Sequence, residues 1–130
     1  MSLNPMSAKQ NALRQLATLR EQEVRARRTA LYQLKSNESQ LLSAQSQIAS
    51  ELAQLAAQRE VCTVDAEIAI ADVQSIESIE QALQSDLQKL AERHARLQQH
   101  LEAAYQSYTH AKRDADLTAA LCRRRMAGRP

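Results

Sequence analysis

The chain has 130 residues but no Phe, no Trp, 3 Tyr, 1 Gly and 2 Pro. Large aromatic side chains supply much of the area in ordinary globular cores, and Gly, Pro and Asn supply the backbone angles of loops. Their scarcity excludes most compact sheet-containing or loop-rich folds. What remains, Ala, Leu, Gln, Glu and Arg in a chain that is 44% hydrophobic, is the composition of long helices. The apolar runs are only a few residues long, too short for a transmembrane helix or a secretory signal, so the expectation is a single-domain, cytoplasmic protein.

Catalytic and metal chemistry are equally short of material. With Gly128 as its one glycine, the chain holds neither a phosphate-cradling loop nor a nucleophile elbow. Cys62 and Cys122 form no disulfide framework and have no Cys or His at metal-ligand spacing. His94, His100 and His110 lack the i, i+4 partner of a helical metal pair. No metal, no cofactor and no enzymatic activity are expected.

Charge is where the sequence speaks. Residues 1–35 carry seven basic and two acidic side chains, net +5; residues 36–88 carry Arg59 against nine acids, net −8; residues 89–130 carry nine bases and four acids, net +5. A chain folded back near its middle would gather both basic segments at one end and leave the acidic segment at the other.

Apolar spacing predicts that fold-back. A four-three seam runs through Leu13, Ala17, Arg20, Val24, Arg27, Leu31, Leu34, Glu38, Leu41, Gln45, Ile48, Leu52, Leu55, Arg59 and Cys62. A second runs through Val73, Ile76, Glu80, Leu83, Leu87, Leu90, His94, Leu97, Leu101, Ala104, Tyr108, Ala111, Ala115, Thr118 and Cys122. Between them, residues 61–70 concentrate β-branched side chains, with Thr63 and Asp65 as candidate N-caps. Ser78 with Gln81 has capping-box spacing, but a start there would orphan Val73 and Ile76. The expectation is all-α: an antiparallel coiled-coil hairpin of two long helices, 7–62 and 67–125, joined by a turn at 63–66, with flexible ends at 1–6 and 126–130. Helices of that length make a rod of roughly 80–90 Å, a monomer or weak oligomer with no interior for an active site, so the function should be binding.

Pairing can be read from compatible neighbours. One register sets Leu31 against Leu101, Leu34 against Leu97, Leu41 against Leu90, Ile48 against Leu83 and Leu55 against Ile76. It matches the long Arg20 and Arg27 with the small Ala111 and Ala104, and it sets Glu38 against His94 as a polar, register-fixing layer. A register one heptad longer pairs Arg59 with Glu80 and Gln45 with His94; it moves the turn to residues 67–72, where there is little turn chemistry, so the first is preferred.

The segment Leu13 to Leu31, LRQLATLREQEVRARRTAL, continues without a breaker and ends in the basic tail Arg123-Arg124-Arg125. It resembles the opening of FliJ and YscO family proteins, central stalk components of flagellar and virulence type III export machines. The likeness runs over nearly the full length. It implies a helical hairpin at the cytoplasmic base of a secretion apparatus, with the hexameric export ATPase, the export gate protein and secretion chaperones as partners. Carried onto this chain, the partner-binding residues are Arg20, Arg25, Arg27 and Arg28, with Arg14 beside them, and Arg123, Arg124 and Arg125 as the facing group.

Blander readings stand beside these. The cluster at Arg25, Arg27 and Arg28 can be a solvated helix face, Glu21 and Arg25 making an ordinary i, i+4 pair. Tyr32, Tyr105 and Tyr108 read as seam or flank packing. A nucleic-acid or anionic-membrane binder is disfavoured by the acidic half and by the missing aromatic stacking platform. A coiled-coil holdase or scaffold fits the composition as well, and would grip clients through exposed apolar surface.

Overall fold

The computed structural model describes residues 5–64 and 70–127. Among them the fold is all-α. Helix α1 spans Pro5–Val64 and α2 spans Ile70–Ala127, packed on one another as an antiparallel hairpin. The local cause is the absence of breakers: between Pro5 and Gly128 the chain has neither Pro nor Gly. Pro5 opens α1 where its missing N–H costs nothing. Asp72 in the first turn of α2 and Arg124 and Arg125 in its last turn complement the helix dipole. Interior threonines are satisfied within their own helices: the hydroxyls of Thr18, Thr29, Thr109 and Thr118 donate to the carbonyls of Arg14, Arg25, Tyr105 and Asp114, at 2.8–3.1 Å.

The expected turn needs adjusting. Thr63 and Val64 continue α1, so Thr63 does not cap α2. Asp65, Ala66 and the start of α2 expected at residue 67 lie outside the described residues. Ser78 sits inside α2, as the orphaning of Val73 and Ile76 required.

The contacts divide the chain into two compact units. Unit 1 comprises Met1–Lys35 and His100–Pro130, and unit 2 comprises Ser36–Gln99. In each, one stretch of α1 pairs with one stretch of α2. Fourteen of the fifteen positions expected on the α1 seam are at least half-covered, and so are all fifteen on α2. The exception is Arg27, which is exposed.

The register differs from the expected one. In unit 1 the Cys122 thiol donates to the Leu13 carbonyl at 3.6 Å, Arg20 reaches Asp114 rather than sitting over Ala111, and Arg28 stacks on Tyr108. Read on the preferred pairing, Leu13 would meet Thr118, so the partner stands four residues further along. The physical reason is phase. Climbing α1 from Leu13, the seam steps by four, three, four; descending α2 from Cys122 it also steps by four, three, four. Layers stay level along a unit only when these steps coincide, which sets Leu13 with Cys122, Ala17 with Thr118, Val24 with Ala111 and Leu31 with Ala104. Val24, Leu31, Ala111 and Thr118 are indeed buried. In unit 2 the contacts of both competing registers are present together, His94 to Glu38 at 3.5 Å and the ion pair of Arg59 with Glu80 at 3.3 Å. They are not alternatives, because each is a diagonal contact between neighbouring layers.

Burial is thin. Among the described residues the buried apolar side chains are Val24, Leu31 and Ala111, all in unit 1, and none is fully enclosed. Unit 2 has one buried residue among those described, and it is Glu80. Two paired helices can cover only one stripe each, and here that stripe is interrupted by charge.

Candidate partner-binding surface

All seven arginines expected to bind a partner fall within unit 1. Counted by unit, unit 1 holds thirteen basic and five acidic side chains, net +8; unit 2 holds four basic and ten acidic, net −6. The division into contact units therefore coincides with a division of charge.

Within unit 1 the arginines are held differently. Arg20 lies on the seam and is half-buried; its guanidinium bridges Glu23 at 3.5 Å and Asp114 at 3.9 Å. Asp114 also receives His110 at 3.7 Å, so Arg20 is tied to structure and is less available than its neighbours. Arg25, Arg27 and Arg28 are exposed. Arg28 lies over the Tyr108 ring, 5.9 Å from its centroid, a cation–π contact that holds its stem without neutralising its charge. Arg27 was expected to cover Ala104 from the seam. In the observed phase its opposite number is the bulky Tyr108 rather than a small side chain, and Arg27 is exposed.

Arg123, Arg124 and Arg125 are exposed in the last turns of α2. They do not face Arg25–Arg28. Because Cys122 meets Leu13 and Arg28 meets Tyr108, the tail arginines lie beyond Leu13 towards the start of α1, about 20 Å along the axis from the other cluster at 1.5 Å per residue. Unit 1 thus presents two basic patches at different levels.

Two features went unread in the sequence. Asp114 meets both Arg20 and His110; the His110 contact follows the i, i+4 spacing within α2, while only the register reveals the contact with Arg20. Leu16 and Leu19 on α1, and Leu117 and Leu121 on α2, lie off both seams and are exposed; their i, i+3 and i, i+4 spacing was the available signal. Leu117 also lines a shallow open groove on α2, with Thr109, Lys112, Arg113 and Asp116. Among the described residues no group of three or more His, Cys, Asp or Glu converges to hold a metal, and no helix is long and apolar enough to cross a membrane. Compared with protein families, curated proteins and solved structures, the chain matches none.

Proposed function

We propose that the chain is a non-enzymatic coiled-coil stalk component of a type III secretion apparatus, which binds the hexameric export ATPase at the cytoplasmic base of the machine and assists protein export, with the export gate protein and secretion chaperones as further partners. One observation carries the reading: basic segments from both ends of the sequence belong to a single helical unit of net +8, while the acidic middle forms another of net −6. A unit so charged can steer and orient an acidic partner surface, and the opposite unit rejects the reversed approach. The resemblance of Leu13–Leu31 to the FliJ and YscO proteins supplies the identity of that partner.

The test is retention of a purified hexameric export ATPase by the immobilised chain. Reversing Arg25, Arg27 and Arg28 to Glu should weaken binding about tenfold to a hundredfold and flatten its salt dependence, since exposed charges contribute at most about 1 kcal/mol each. Helix content should stay unchanged, and reversing Glu77 and Asp86 to Lys should matter less. Equal binding by both variants, or none by the parent, refutes the stalk reading. The holdase reading then takes its place, favoured by the exposed Leu16, Leu19, Leu117 and Leu121, and suppression of client aggregation would test it.

A further inference from the structure

The exposed leucines of unit 1 are one surface. Leu16 and Leu19 share a face of α1, and Leu117 and Leu121 share a face of α2. Arg20 shows that these faces border one another. Its guanidinium touches Glu23, one turn beyond Leu19, and Asp114, one turn before Leu117. The four side chains are 41%, 61%, 60% and 52% exposed and lie on one flank of the helix pair. Contiguous apolar surface of this kind, on an otherwise charged molecule, marks a contact with another macromolecule.

Charge identifies what fits it. Unit 1 carries net +8, so two copies of unit 1 repel; unit 2 carries net −6, so unit 1 of one chain attracts unit 2 of another. Unit 2 also offers the matching apolar side chains. Val61 and Ile79 are 66% and 50% exposed, and Ile79 stands two residues from the exposed Glu77. Unit 2 has no buried apolar residue among those described, so covering this surface adds the apolar burial it lacks. We propose that the leucine flank of unit 1 docks on unit 2 of a second copy of this chain, a head-to-tail self-association joined by leucine contacts and steered by opposite charge.

Sedimentation equilibrium of the full chain tests this. At about 0.05 M salt the apparent mass should climb above 14.6 kDa as concentration rises through tens to hundreds of micromolar, and at about 0.5 M salt it should fall back, because screening shortens the range of attraction. Leu19→Ser with Leu117→Ser disables one face, and Val61→Ser with Ile79→Ser disables the other. All four positions are exposed, so helix content by circular dichroism should be unchanged. Each double variant alone should stay monomeric. Mixed in equal amounts, they should associate, since one retains an intact unit 1 and the other an intact unit 2. A monomeric parent at low salt, self-association of the Leu19/Leu117 variant to the parent's extent, or a mixture that stays monomeric overturns the proposal. The readout needs no ATPase and is independent of the stalk reading.

Discussion

Glu80 is 9% exposed, and while its Oε2 meets Arg59 at 3.3 Å, its Oε1 is buried without a hydrogen-bond partner. A carboxylate taken from water and left half-satisfied costs more than its single ion pair returns, particularly as the Arg59 side chain is 42% exposed and its end of the pair is screened. Glu80→Leu should therefore raise stability by about 1–3 kcal/mol in urea unfolding, leaving Arg59 free to hydrate. Arg59→Met should do the reverse by a comparable amount, because it strands the buried charge. If both variants shift the midpoint in the same direction, Glu80 is not buried in the seam. The polar cluster of Glu38, His94 and Gln98 is milder. The Gln98 amide donates to Glu38 and lies 3.1 Å from His94 Nε2, while the Glu38 and His94 side chains keep about a quarter of their surface in solvent. Replacing Glu38 and His94 together with Leu should raise the melting temperature, by on the order of 1 kcal/mol equivalent, with little effect on register, because the contact is a diagonal one that two alignments can make. A lower melting temperature would show that the cluster stabilises more than it costs.

At the scale of the helices, the seams were legible and their alignment was not. Every side chain that spacing set on a seam is at least half-covered except Arg27, because amphipathic periodicity is local and needs no partner. Matching residue sizes across the pair, Arg20 over Ala111 and Glu38 against His94, was a weaker guide, since long side chains reach a neighbouring layer and make the same contact in two registers. The decisive signal, coincidence of four-residue and three-residue steps read in opposite directions, was present in the sequence. It places Val24 with Ala111, the pair that is buried. The candidate arginines were legible as a basic group, but their separation into two levels depended on that alignment. Crosslinking separates the registers. With Cys62 and Cys122 replaced by Ser, Leu31→Cys with Ala104→Cys should form an intramolecular disulfide in most of the chain under mild oxidation. Leu31→Cys with Leu101→Cys, displaced by about 4.5 Å along the axis, should react several-fold more slowly. The opposite order would restore the size-matched register.

For the molecule as a whole, the two units differ in what holds them together. Unit 1 owns the buried apolar side chains Val24, Leu31 and Ala111, and the Arg20, Glu23 and Asp114 bridge. Unit 2 is held by half-covered seam residues and carries the buried, half-satisfied carboxylate of Glu80 as a cost. Each also bears an excess of one sign of charge, +8 and −6, so each repels itself. Local opening free energy follows the density of buried apolar contact, and amide exchange reports it segment by segment. Amides near Val24–Leu31 and Ala104–Ala111 should therefore exchange slowest, and those near Leu41–Leu55 and Leu83–Leu90 faster, by about tenfold for each 1.4 kcal/mol of difference in opening free energy. Dilute protein keeps a second copy from covering unit 2. Raising salt should slow exchange in both units by screening their self-repulsion. Glu80→Leu should slow it in unit 2 alone, since the buried carboxylate penalises only the layers around it. Uniform protection along the chain, or slower exchange in unit 2 than in unit 1, would mean that apolar burial does not set the order in which the pair opens.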